Sequence, residues 1–182
     1  MTCIVGMRTK TGVLLGGDTQ GTSNRDAVDR LDPKVFGLGR DMAVGFTSSY
    51  RMGQIIRFNL EPPTCPAGHD AYPWVVREFI PAIRDVFKEH GYQHVLNERA
   101  TGGTFLLAVG NRLFKVGDDF QVAERADPFD ACGAGEDYAL GALHALGRYE
   151  MSPHERLTEA LNAANRFNVT VGDRYTFVET KR

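Results

Sequence analysis

The chain has 182 residues, enough for about one domain with a sizeable core, and its 42% hydrophobic and 24% charged residues with 20 glycines describe a turn-rich globular protein. A formal net charge of -2 argues against the concentrated basic surface that a nucleic-acid or anionic-membrane partner requires. Cys3, Cys65 and Cys132 are odd in number, widely spaced and outside any Cys-x-x-Cys pattern, which argues against a disulfide framework or zinc knuckle and for a reducing compartment.

From the N-terminus, "TCIVGMRT" and "GVLLGGD" are strand-length apolar runs joined by a Lys-Thr-Gly turn, the pattern of a β-hairpin. "KVFGLG" and "MAVGFT" make a second pair. Met52, Ile55, Ile56 and Phe58 then recur near helical spacing from Ser48 to Leu60, with Ser48 or Ser49 as N-cap. "LEPPTCPAGHD" breaks that helix and reads as a loop, since its prolines suit neither a helix nor a central strand. The next helix, "AYPWVVREFIPAIRDVFKEHGY", carries Val75, Phe79, Ile83 and Phe87 at four-residue steps, with Pro81 expected to kink or divide it.

After the polar stretch "QHVLNERATGG", the runs "TFLLAVG", "RLFKVG", "FQVAER" and "DPFDACGAG" read as further strands. Two helices follow, "EDYALGALHALGRYE" and "SPHERLTEALNAANRF", the second opened by a capping box of Ser152 and Glu155 with Pro153 between them. "RYTFVET" closes the chain as a strand. Segregated runs with hairpin-length links predict an α+β fold with antiparallel sheets. No run approaches the roughly 18 apolar residues of a membrane span, and no leader pattern opens the chain, so a soluble, cytoplasmic protein without a membrane partner is expected.

The chemistry sits at the start. Methionine aminopeptidases remove an initiator residue that precedes a small side chain, so Thr2 can become the first residue. It then carries a nucleophile, Oγ, beside an α-amine whose unperturbed pKa near 7.7 to 8.0 suits a base at neutral pH. Lys34 supplies positive charge to keep that amine neutral, and Asp18 is the anion to hold Lys34.

Residue by residue, the chain resembles the proteasome β-subunit and HslV peptidase superfamily, the threonine type of N-terminal-nucleophile hydrolase. "TCIVGMRTKTGVLLGGDTQGTS" is similar to the family's opening hairpin, with its Thr and the Asp of the "ADTR" or "GDGQ" corner. "DPKVFGLG" resembles the strand that begins with the catalytic Lys. "AVGFTSSYRMGQ" resembles "GFAGS" and its helix, and "ACGAGEDYALGAL" the turn "GSGSxYALGAL". The resemblance spans nearly the whole chain and implies one proteasome β-subunit-like domain over 1–182. It implies a four-layer αββα sandwich that assembles into rings or an open helical array.

It further implies peptide-bond hydrolysis, with Thr2, Asp18 and Lys34 catalytic and a backbone N–H near Ser48 as oxyanion donor. Gln20, Thr22, Ala27, Leu31 and Ser49 are the expected pocket walls. Peptide or unfolded protein is the implied substrate, an ATP-dependent unfoldase a possible partner, and no metal or organic cofactor is called for.

Ala134 stands where the family has a serine, and Asn168 and Val171 stand at the Asp and Ser of "RDxxSG". These departures keep open a shell or scaffold protein with weak or lost peptidase activity that retains Met1, and because other N-terminal-nucleophile enzymes of the resembled fold act on small amides, an amidohydrolase is a further alternative. Elsewhere the simpler readings prevail. His90 and His94 lack a third metal ligand, "GAGEDYALG" lacks the Lys-Ser/Thr of a phosphate loop, and Trp74, Phe79 and Phe87 read as core or subunit contact. Strand alternation turns Cys3 away from Thr2.

Overall fold

A computed structural model describes residues 2–23, 26–96 and 99–181. The opening hairpin forms as its two apolar runs and their turn predict, with β1 (Cys3–Arg8) antiparallel to β2 (Val13–Asp18) and Ile4 opposite Gly17. Next come a hairpin that the sequence did not announce, β3 (Gln20–Ser23) and β4 (Asp26–Asp29), then β5 (Val35–Gly37) and β6 (Met42–Phe46). Helix α1 (Tyr50–Phe58) is capped by Ser49, whose Oγ accepts from the Arg51 N–H at 3.1 Å.

The long helical segment is continuous but not uniform. It begins as α2 (Ala71–Trp74), widens into a π-helical turn over Val75–Phe79, and ends as α3 (Ile80–Glu89). The helical segment runs on through Pro81 without a break: a wider turn before it moves the preceding carbonyls away from the proline ring, which has no N–H to offer them. The polar stretch beyond it holds β7 (His94–Leu96) and β8 (Arg99–Thr101), with Asn97 and Glu98 outside the described residues. The remaining elements are β9 (Phe105–Val109), β10 (Arg112–Val116), β11 (Val122–Ala123), β12 (Phe129–Gly133), α4 (Glu136–Leu146), α5 (Pro153–Phe167) and β13 (Tyr175–Glu179). The Ser152–Glu155 capping box closes as expected.

The fold is α+β with antiparallel sheets. The larger two have the strand orders β12-β1-β2-β13 and β11-β10-β9-β6-β5. Apolar side chains gather in three clusters. One joins α1 to α3 with the five-stranded sheet and contains Trp74, Phe79 and Phe87. Another joins α4 and α5 with the four-stranded sheet, and the third, with Ile4, Leu15, Val35 and Leu106, lies between the sheets. Burying a side chain of this size contributes about 1.5 to 3 kcal/mol.

The sheets approach closely beside the Thr2 end of β1. A Cβ on Gly45 would come within 2.5 Å of the Ile4 side chain across the two sheets, and one on Gly17 within 3.2 Å of Val35. The strand termini that carry Thr2, Asp18 and Lys34 are drawn together across that contact. Among the described residues no helix is long and apolar enough to cross a membrane.

Candidate active site

Thr2 directly precedes β1, Asp18 ends β2, and Lys34 directly precedes β5. Hairpin pairing brings the first two side by side, and sheet-on-sheet packing delivers the third. All three are buried, at 3%, 0% and 2% exposure. Thr2 Oγ1 donates to Asp18 Oδ1, and Lys34 Nζ donates to Thr2 Oγ1. Lys34 Nζ also donates to Asp18 Oδ2 at 2.9 Å and to the Gln20 carbonyl at 2.6 Å, so each ammonium hydrogen has an acceptor.

Asp18 is held from the backbone as well. Its carboxylate accepts from the N–H groups of Cys3, Gln20 and Gly172 at 3.0, 3.2 and 3.1 Å. Burial pulls the Lys34 pKa below the ordinary lysine value, while the charge and hydrogen bond of Asp18 work against that shift.

Thr2 is anchored by a tight turn. Gly133, opposite Cys3 on β12, has φ +102, and a Cβ there would lie 2.4 Å from the Thr2 carbonyl oxygen. Gly135 donates its N–H to that same oxygen at 3.3 Å. Cys3 points the other way, into the cluster with α4 and α5, where burial pushes its thiol up to about 12. The fate of Met1, on which release of the Thr2 amine depends, lies outside the described residues.

Thr2 and Lys34 form one end of a cleft of about 70 Å³. Thr22, Ser48 and Ser49 line it, together with Phe46, Thr47 and Tyr50, which sequence reasoning did not select. Ser48 has a left-handed backbone, φ +62, at the position of the glycine in the family's "GFAGS". Its Oγ accepts from the Thr104 N–H at 3.1 Å, while Thr47 Oγ1 donates to the Thr104 carbonyl at 2.9 Å.

Gln20 meets the site through its backbone, and its side-chain amide turns away to donate to the Val169 carbonyl at 3.2 Å. Ala27 and Leu31 are exposed and do not line this cleft: Ala27 sits on the fully exposed β4 and Leu31 in the bend that follows it. Asn168 Nδ2 donates to the Ala134 carbonyl at 2.7 Å, and Asn168 Oδ1 accepts from the Thr170 hydroxyl at 2.7 Å. Val171 is buried against α4 and α5. Among the described residues no group of three His, Cys, Asp or Glu side chains is placed to hold a metal ion.

No family model and no curated protein sequence matches the chain. Solved structures do. Thiobacillus denitrificans BPH superposes with a TM-score of 0.81 at 20% identity, covering 98% of this chain and 97% of that one. The chain has the HslV and proteasome β-subunit fold. HslV from Trypanosoma brucei matches with a TM-score of 0.73 at 18% identity over 99% of both chains. An Anbu mutant from Hyphomicrobium sp. strain MC1 gives 0.71 at 16% identity, covering all of this chain and 82% of that one. The HslV-like fold is the one the antiparallel sheets of this chain share. A further structure of the Thiobacillus protein is a complex with epoxomicin, with a TM-score of 0.78 at 21% identity over 99% of this chain and 100% of that one.

Proposed function

We propose that the chain is a threonine-type endopeptidase subunit that hydrolyses peptide bonds with Thr2 as an N-terminal nucleophile. The observation that carries this reading is the buried hydrogen-bonded trio of Thr2, Asp18 and Lys34 at one end of an open cleft. Removal of Met1 frees the α-amine. Thr2 Oγ attacks the scissile carbonyl and its proton passes to that amine, which the Lys34 charge keeps neutral beforehand. Asp18 fixes Lys34. The tetrahedral oxyanion rests on a backbone N–H near Ser48. Collapse passes the proton to the leaving nitrogen and leaves an ester on Thr2, which water hydrolyses to a carboxylic acid and the free hydroxyl.

The three apolar clusters support residues 1–182 as one domain in four layers, helices outside two stacked sheets. In this reading the subunit is cytoplasmic, self-assembles into a ring or helical array, and takes peptides or unfolded protein, with or without an ATP-dependent unfoldase. The exposed Tyr138 and Phe167 rings, 5.6 Å apart between centroids, support an assembly surface. The test is peptide hydrolysis by the protein with Thr2 exposed against Thr2→Ala. Activity lost with Thr2→Ala supports the reading, and equal activity refutes it.

A second reading, a shell protein of the same fold without peptidase activity, is favoured by one set of contacts. Asn168 spends its side chain on Ala134 and Thr170, and Val171 is apolar and buried, so the resembled support around the amine is reduced. It predicts an intact assembly that ignores threonine-directed electrophiles. A small-amide hydrolase remains within the same chemistry and would cleave short amides in preference to peptides.

A further inference from the structure

The Thr2 cleft has a movable-looking but immobilised wall. Tyr50 and Phe46 line both that cleft and a second depression of about 20 Å³, which continues among Phe36, Gly53 and Phe58. The Tyr50 ring thus stands between two spaces. The space on the Thr2 side, about 70 Å³, has room for roughly two water molecules.

The ring is held from several directions. It meets Phe46 edge-on, with centroids 5.6 Å apart and planes at 79°. The Arg30 guanidinium lies over it, 3.8 Å from the centroid. Arg30 is itself clamped by Asp32 through Nε and Nη2 at 2.8 and 2.7 Å. Phe46 has no room to retreat, because it packs on Gly53 so closely that a Cβ there would lie 2.2 Å from the ring. The Tyr50 hydroxyl is buried without a hydrogen-bond partner among the described residues. An unsatisfied buried hydroxyl is unfavourable, so the stack around the ring offsets it.

Attack by Thr2 Oγ requires the scissile carbonyl carbon at about 3 to 3.5 Å. The side chain of the residue contributing that carbonyl is attached one atom away, and the cleft that Thr2 shares with Phe46 and Tyr50 is the space beside the nucleophile into which it fits. We propose that Tyr50 is a specificity-determining residue whose ring blocks the far part of the cleft, so that the site accepts small residues of the alanine or serine class on the acyl side of the scissile bond and rejects leucine or phenylalanine. The inference rests on Thr2 being the nucleophile and adds what the site selects.

The test uses the full chain with Thr2 exposed, verified by intact mass, and fluorogenic peptide amides that differ only in having Ala, Leu or Phe on the acyl side. Wild type should favour Ala over Leu by about tenfold or more in kcat/KM, the scale of discrimination a pocket wall provides. Tyr50→Ala, which joins the two depressions, should reverse that order, and Tyr50→Phe, which keeps the ring, should preserve it. Wild type that cleaves the Leu or Phe amide as well as the Ala amide overturns the proposal, even where Tyr50→Ala fails to fold. So does a folded Tyr50→Ala that keeps the wild-type order. The same peptides as epoxyketones separate the two levels: equal labelling by Ala and Leu forms defeats only the role of Tyr50, and no labelling by any form defeats the Thr2 nucleophile with it.

Discussion

Lys34 Nζ lies 2.9 Å from Asp18 Oδ2, and both side chains are sealed from water at 3% and 0% exposure. Each charge is tolerated because the other is present, and removing either strands its partner in a poor solvent. Asp18→Asn is expected to destabilise the fold by about 3 to 5 kcal/mol and to abolish hydrolysis. Urea unfolding with a peptide assay measures both effects. A variant of wild-type stability would contradict the buried pair.

The same burial sets an alkaline limit on activity. The folded pKa of Lys34 is lowered, so its ammonium deprotonates in the native protein below the roughly 10.4 of a free lysine. Hydrolysis should therefore decline with rising pH before ordinary lysines titrate, as Thr2 loses the positive charge beside it. For stability the sign is opposite: between the folded and unfolded values the unfolded chain binds more protons, so this group's contribution grows with pH. A pH–rate profile flat through that interval would contradict the role of Lys34.

Cys3 and Cys132 are fully buried, and burial raises both thiols, Cys3 from 9.0 to about 12. In the native protein neither should react with iodoacetamide near neutral pH, whereas partly exposed Cys65 should react slowly. Intact mass should show one addition before unfolding and three after it. Above pH 9 the unfolded thiols ionise first, so each of these two cysteines removes about 1.4 kcal/mol of stability per pH unit up to its folded value. That loss runs against the Lys34 contribution. Native labelling of Cys3 would show that the strand beside Thr2 opens.

Gly133 combines a left-handed backbone with a 2.4 Å approach to the Thr2 carbonyl oxygen by any added Cβ. Gly133→Ala should cost about 1 to 3 kcal/mol and displace Thr2, lowering kcat more than it raises KM. Thermal unfolding and steady-state kinetics check the two parts. Unchanged kcat in a folded variant would mean that this turn does not position the nucleophile.

Much of this arrangement was legible in the chain. Thr2, Asp18 and Lys34 sit at strand ends that apolar runs and turn residues mark plainly, and the hairpin they imply forms in register. The β3–β4 hairpin was hidden because most of its residues are exposed or half-buried, leaving no period-2 apolar signal. The π-helical turn before Pro81 was hidden because it changes the hydrogen-bonding partner while keeping the apolar spacing. Tyr50 looked like the first turn of an amphipathic helix. Its place beside Arg30 and in the cleft that Thr2 lines joins residues 20 and 48 positions away in the chain, which local patterns do not encode.

The most direct test of the central claim is intact mass before and after incubation with a peptide epoxyketone bearing alanine at the acyl position. The account predicts loss of Met1 followed by a gain of one inhibitor mass, abolished in Thr2→Ala. A protein with Thr2 exposed that gains no inhibitor mass would contradict it and favour the shell reading.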